Sequence, residues 1–170
     1  MATTKYIGTG EVTSADFKYC KWVGKTKGGK DVILELTDAM NMSNIDLSMV
    51  EKNDTVPSVE FQACYSNTDS ASASNVEPWS LIVDSSLTSG ADEIVLGAGT
   101  FYIGSTAVAL TRGGGSFVVE REYREINADG DRGAVKGRVV IESSRAKLTM
   151  NLLTFLTRIT DIYPAIAASV

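Results

Sequence analysis

The stretch Ser116-Phe-Val-Val-Glu-Arg-Glu-Tyr-Arg-Glu-Ile126 decides the fold class of this chain. Its side chains alternate in character with a period of two, which is the period of a β-strand. One face carries the apolar residues Phe117, Val119 and Tyr123, and the other carries Glu120, Glu122 and Arg124. The run exceeds the usual strand of about five or six residues. It predicts a long strand with one face for packing and one for water or a neighbour.

The residues that follow predict the rest of a long β-hairpin. Segment 127–138 contains three glycines among charged residues of both signs, and Val139-Val-Ile-Glu142 then returns as a second strand. An arm of this length outreaches a small domain, and its flexible, charged tip suits salt bridges to another subunit. The alternative is a solvated tip in a monomer. Candidate contact residues between subunits are Glu120, Glu122, Arg124, Asp129, Asp131, Arg132, Lys136 and Arg138.

Short strands and turns fill the remainder of the chain. Further strands are predicted at 18–23, 31–37, 59–65, 79–83, 100–103, 107–111 and 145–153. Three glycines at 113–115 read as a separator between two strands. Leu156, Ile159 and Tyr163 recur at three- to four-residue spacing, which predicts a helix of about two turns. For segment 38–51, a helical turn capped by Asp38 and an extended strand pattern both stay open.

Composition and pattern together predict one mainly-β domain over residues 1–170. The chain is 44% hydrophobic and 22% charged, which is ordinary for a globular protein. Many short strands with one flanking helix favour a β-sandwich or open barrel that carries a long β-hairpin. Residues 85–91 have the composition of a linker. No apolar run is long enough to predict a membrane helix.

The sequence offers little for catalysis, metal binding or cofactor binding. It contains no histidine, which removes the commonest general base and metal ligand. Cys20 and Cys64 lie within predicted strands, and two cysteines make neither a disulfide scaffold nor a zinc site. Segment 127–138 has alternating oxygen ligands, yet Arg132 and Arg138 stand where a calcium loop needs glycine and glutamate. We therefore predict no enzyme activity, no metal and no cofactor. The net charge of −5 argues against tight DNA binding.

Several motifs in combination resemble one known family. The first block contains Leu110-Thr-Arg-Gly-Gly-Gly-Ser-Phe117, Glu120-Arg-Glu-Tyr-Arg-Glu-Ile126 and Ala128-Asp-Gly-Asp-Arg-Gly-Ala-Val-Lys-Gly-Arg138. The second contains Gly29-Gly-Lys-Asp-Val-Ile-Leu-Glu-Leu36, Val59-Glu-Phe-Gln-Ala-Cys-Tyr65 and Glu77-Pro-Trp-Ser-Leu-Ile82. Together they resemble the tail tube proteins, or major tail proteins, of long-tailed bacteriophages. In those proteins the segment matching 96–104 usually lies near the amino terminus, so this chain is expected to have its two halves in permuted order.

The resemblance implies a structural role in the virion tail. Each subunit would contribute strands to a closed inner barrel in a hexameric ring, and rings would stack into a tube for double-stranded DNA. Partners would be further copies of the chain, a tape measure protein, other tail proteins and DNA that passes without specific binding. Assembly would occur in the host cytoplasm, without membrane insertion. Segments 127–138 and 45–55 are the candidates for ring stacking. The rivals are an inner-tube subunit of a type VI or bacteriocin-like injection system, and a monomeric β-sandwich binding module.

Overall fold

Antiparallel β-strands form most of the regular structure of this protein. The computed structural model describes residues 4–47, 55–65, 76–91, 95–130, 132–133, 135–153 and 155–169. In these residues there are nine strands: β1 Lys5–Gly8, β2 Lys18–Thr26, β3 Asp31–Asn41, β4 Ser58–Ala63, β5 Trp79–Val83, β6 Val95–Ile103, β7 Thr106–Glu125, β8 Val139–Leu152 and β9 Ile166–Ser169. The prediction of a mainly-β, sandwich-like fold is confirmed.

Six of the strands pair in a continuous ring, in the order β2-β3-β4-β8-β7-β6 and back to β2. β3 is the branching point. Its residues 32–36 pair with β2 on one edge and with β5 on the other, while Ala39 pairs with both Lys18 and Ala63. β5 therefore extends the sheet outside the ring. Closing the ring leaves few unpaired strand edges in the body of the protein.

The core lies between the strands of this ring and follows the period-two pattern of the sequence. In β8 the buried residues are Ala146, Leu148, Met150 and Leu152, and in β4 they are Val59, Phe61 and Ala63. The rings of Phe61 and Phe101 meet across the core with centroids 5.0 Å apart. Alternate side chains of each strand thus fill one interior, as the sequence pattern predicts.

β7 runs without a break for 20 residues, so the predicted separation into two strands at 113–115 is wrong. Its first part pairs with β6 and its later part with β8. The register with β8 shifts between Thr111 and Gly115, and Gly114 has φ of 85°. Glycine permits this left-handed conformation at no steric cost. The glycines therefore mark a bend where one strand changes partners.

The helical segment and the chain ends differ slightly from expectation. A 3-10 turn at Leu156–Arg158 leads into the single α-turn α1, Ile159–Ile162, which buries Ile159 and Ile162 against the core. β1 and β9 form a separate two-stranded sheet that the pattern did not predict. Asp38 lies inside β3 with φ of +46°, so of the two alternatives the structure excludes the helical turn capped by Asp38, and residues 38–41 continue the extended strand. Much of segment 45–55 lies outside the described residues.

Candidate functional site: a protruding β-hairpin arm

The most distinctive feature of the surface is the outer half of the β7–β8 hairpin. We call residues 117–125 and 139–146 the arm, and residues 126–138 its tip. The arm residues pair with each other in antiparallel register from Val119–Ala146 to Glu125–Val139. Among the described residues, β6 pairs with β7 before the arm begins, and β4 pairs with β8 beyond the end of the arm. In that part of the chain, neither strand pairs with the arm itself. The arm is therefore a two-stranded ribbon with two free edges.

The arm exposes several large apolar side chains to solvent. Tyr123 is 62% exposed and Ile141 is 51% exposed, and the other exposed apolar residues of arm and tip are Val118, Ile126, Val139 and Val140. Phe117 and Val119, at the base of the arm, pack against the core as predicted. The same prediction is wrong for Tyr123, because among the described residues no third strand pairs with the hairpin at this point. A register shift between Glu122 and Tyr123 leaves Glu142 as an extra residue at this point.

The predicted contact residues of the arm are engaged within the hairpin itself. Glu120 forms an ion pair with Lys147 (Nζ to Oε2, 3.2 Å), and Arg124 lies 3.8 Å from Glu142 (Nε to Oε1). The Ser143 hydroxyl donates to the Glu122 carboxylate over 2.7 Å. These polar contacts cross from β7 to β8 and fit the cross-strand ladder expected from the sequence. They hold the ribbon together, which leaves the apolar residues as its unpaired surface.

The tip closes the hairpin through backbone bonds and presents charges to solvent. The Ile126 N–H donates to the Arg138 carbonyl over 2.8 Å, and the Arg138 N–H donates to the Val135 carbonyl over 2.9 Å. Asp129, Arg132 and Lys136 are exposed, and none forms an ion pair with another described residue. Arg138 is half-buried. Asp131, another predicted contact residue, lies outside the described residues. The tip therefore offers at least two cations and one carboxylate to a neighbour.

One ion pair fixes the base of the arm to the rest of the protein. The Arg121 guanidinium binds the Glu77 carboxylate through two hydrogen bonds of 2.9 Å. The Trp79 indole N–H also donates to Glu77, and the Trp79 ring packs on Phe117 with centroids 5.4 Å apart. Arg121, followed by the indole, holds the pKa of Glu77 below its usual value. This cluster links β5 to the arm. Sequence reasoning missed it because Glu77 and Arg121 are far apart along the chain.

β5 presents a second free edge. It lies at the end of the sheet, and only β3 pairs with it among the described residues. Three successive apolar residues, Leu81, Ile82 and Val83, are exposed on it, Leu81 by 54%. An uncharged edge strand with exposed apolar residues readily pairs with another chain. The alternating pattern identified this strand, but its position at an edge follows only from the topology.

A groove runs beside the arm along the free edge of β8. It has a volume of about 610 Å³ and is lined by β8 residues 139–145 on one side and by Tyr65, Val76 and Glu77 on the other. Its walls combine exposed apolar side chains with Glu77, Glu142 and Arg145. The groove adds a concave surface to the free edge. An extended segment of another chain fits such a combination, because backbone bonds and side-chain contacts form together.

The two cysteines and a metal site are the remaining candidates for chemistry. Cys20 is buried and Cys64 half-buried, both as free thiols, as the sequence predicted. Burial raises the pKa of the Cys20 thiol to about 12, so it is not a nucleophile at neutral pH. Among the described residues, no group of three or more potential ligands is placed to hold a metal ion.

Comparisons with known proteins leave the chain without assigned relatives. No protein-family model matches it, and neither does any curated protein or solved structure. Within the described part of the chain, no helix has the length and apolar character needed to cross a membrane. The arm, the β5 edge and the groove are the surfaces of the described residues that suit contact with another chain.

Proposed function

We propose that this protein is a self-assembling structural subunit of a bacteriophage tail tube. One observation carries the proposal: the arm is a two-stranded ribbon with free edges and exposed apolar residues on a body whose other strands are largely paired. An isolated two-stranded ribbon is marginally stable in water, and exposed strand edges promote uncontrolled pairing. Contact with further copies of the chain would cover both the free edges and the exposed apolar residues of the arm.

The two free edges favour head-to-tail assembly. The arm is formed by β7 and β8, in the middle of the strand order, and the other free edge is formed by the end strand β5, so the two edges belong to different strands of one molecule. Pairing between unlike surfaces of identical subunits produces rings when the rotation closes and filaments when it does not. A hexameric ring that stacks into a tube contains both kinds of contact, those that close the ring and those that extend the assembly along the tube. The tip and its charges would then reach the next ring.

The chemistry of the surface fits a passive conduit. The net charge is −5, and attraction to a polyanion would slow its passage. The lumen is therefore expected to be neutral or acidic. In this proposal the protein is located in the virion tail after assembly in the host cytoplasm. It contacts a tape measure protein and other tail proteins, and DNA passes without specific binding.

Replacing Ile141 by aspartate tests the role of the arm. Ile141 is an exposed apolar residue at the middle of the arm, so Ile141→Asp should leave the fold intact and abolish rings or tubes. Val12→Asp is the matched control, because Val12 is also 51% exposed but lies outside the arm. Negative-stain electron microscopy and sedimentation velocity over a range of concentrations measure the outcome. Assembly of Ile141→Asp at the wild-type level contradicts the proposal.

The tip is tested separately by reversing its charges. Arg132→Glu, Lys136→Glu and Arg138→Glu should each reduce the stacking of rings into tubes while leaving the rings and the fold in place. Circular dichroism checks the fold and electron microscopy counts tubes against single rings. A wild-type yield of tubes from all three variants removes the tip from the proposal.

The same experiments separate the alternatives. Wild-type protein that stays monomeric at every concentration, even with preformed tail initiation complexes, favours the β-sandwich binding module, with the groove beside the arm as its binding surface. A tube that forms but carries protein effectors instead of DNA identifies the inner tube of an injection system.

A further inference from the structure

A second cavity lies inside the sheet ring, away from the arm edges. It has a volume of about 190 Å³ and its main apolar walls are Trp22, Leu34, Phe117, Leu148 and Met150. Leu148 and Met150 are core residues, so the cavity reaches the interior of the fold. The mouths of small β-barrels are common positions for ligand sites. Apart from Phe117 at the base of the arm, none of its lining residues belongs to the assembly surfaces described above.

Glycines keep the cavity open. Gly97, Gly114 and Gly115 line it and contribute no side chains. The Trp22 ring lies directly over Gly24 and Gly99, where an added Cβ would approach its atoms to 2.0 Å and 2.3 Å. The absence of a Cβ at these two positions therefore makes room for the indole on the wall. A larger residue at Gly24 or Gly99 would displace the indole.

Two polar groups in the cavity lining have no hydrogen-bond partner within the described part of the chain. They belong to two residues of the lining, the indole N–H of the half-buried Trp22 and the hydroxyl of the exposed Ser116. The first is a donor only, and the second both donates and accepts. Each therefore suits a ligand with an oxygen acceptor. An apolar cavity of about 150 Å³ holds benzene in another protein, which sets the scale of molecule that fits.

From these features, we infer that the cavity is a binding site for a small, single-ring aromatic molecule that carries one hydroxyl or carbonyl oxygen. The ring would lie against Trp22, Phe117 and Met150, and the oxygen would accept from Trp22 or Ser116. The inference does not depend on assembly of the protein into rings.

Benzyl alcohol is the probe, and calorimetric titration of the full chain measures its binding. Saturable binding to one site per chain is expected. In a Trp79→Phe variant Trp22 is the only tryptophan, and its emission should shift along the same binding curve. No saturable heat and no change in Trp22 emission would overturn the inference.

Filling the cavity supplies the structural test. An added Cβ at Gly97 meets no atom within 4 Å and Gly97 has no positive φ, so Gly97→Leu should fold and should weaken binding by about tenfold or more. Gly8→Leu is the matched control, since Gly8 has the same freedom but lies in β1, outside the cavity lining. Equal binding by wild type, Gly97→Leu and Gly8→Leu contradicts the site.

A second variant keeps the test valid if Gly97→Leu fails to fold, which circular dichroism detects. Ser116→Ala removes one polar group with little change in shape. It should weaken binding of benzyl alcohol but leave binding of toluene, which lacks the oxygen, unchanged. Equal losses for both probes, or no loss for either, would remove Ser116 from the inference. Equal affinity of the wild type for benzyl alcohol and toluene would remove the acceptor oxygen.

Discussion

In the β2–β3 hairpin each strand has a partner on both edges, whereas within the described part of the chain the arm of the β7–β8 hairpin pairs only with itself. Both hairpins show alternating apolar residues in the sequence. In the first the inward residues, such as Cys20 and Leu36, are fully buried, while in the second Tyr123 and Ile141 remain exposed. The difference shows that alternation reports a surface suited to packing. Whether that surface is packed within the chain depends on the neighbouring strands.

The largest expected contrast is in the stability of the monomer. Leu36→Ala leaves a cavity in the core and should lower the free energy of unfolding by about 2–5 kcal/mol. Ile141→Ala in the arm should lower it by about 0.5 kcal/mol or less, because the side chain is half exposed already. Urea unfolding at concentrations below assembly measures both. Equal losses would mean that the arm is part of the folded core and not a docking element.

The second contrast concerns the attachment of the arm and its dependence on pH. The Glu77 pKa is lower in the folded protein than in the unfolded chain, so its ion pair with Arg121 stabilises the fold above the unfolded pKa. That contribution is lost as the pH falls through the lowered pKa. Glu77→Gln should therefore be less stable than wild type at neutral pH and equal to it in strong acid.

A matched carboxylate in the arm provides the control for this measurement. Glu125 is exposed and forms no ion pair with another described residue. Glu125→Gln removes no ion pair with a described residue, so it should change the stability at neutral pH by less than Glu77→Gln does. Chemical unfolding at a series of pH values compares the two variants. If both variants change the free energy of unfolding alike across the pH series, the specific pairing of Glu77 with Arg121 has no measurable role in stability.

The smallest effect is expected from joining the first and last strands and opening the chain within the predicted linker 85–91, as a permuted order of the two halves predicts. β1 and β9 pair from Lys5–Ser169 to Gly8–Ile166, so the two chain ends are adjacent. A permutant with its ends linked by glycine and serine and opened between Ser89 and Gly90 should unfold near the wild-type urea midpoint. Opening β8 between Lys147 and Leu148 should abolish folding. Loss of the fold in the first permutant would argue against a permuted order of the halves.

Local pattern predicted most of the strands, both hairpins and the helical turn near Pro164. It failed at three kinds of position. The bend at Gly114 was read as a break, because the sequence does not reveal that one strand changes partners there. The alternation places Tyr123 on a packed face, because it contains no information about how far other strands extend along the hairpin. The β1–β9 pair was missed because strands of four residues give too little periodicity.

The candidate site divides in the same way. Its charged residues were visible as an alternating pattern, and the cross-strand contacts of Glu120, Glu122 and Arg124 follow from that pattern. The sequence did not reveal the ion pair of Glu77 and Arg121, the free edge of β5 or the cavity beside Trp22. Each of these brings together residues from distant parts of the chain.

By itself, the sequence determined that this protein is mainly β, that it carries a long charged hairpin and that it lacks histidine chemistry. Those properties depend on side-chain period and residue type, which are local. Only the tertiary structure decided which edges are closed, which apolar faces stay exposed and where the interior remains open. These properties depend on strand pairing over long distances, where the cost of ordering the chain is balanced by contacts that no local pattern specifies.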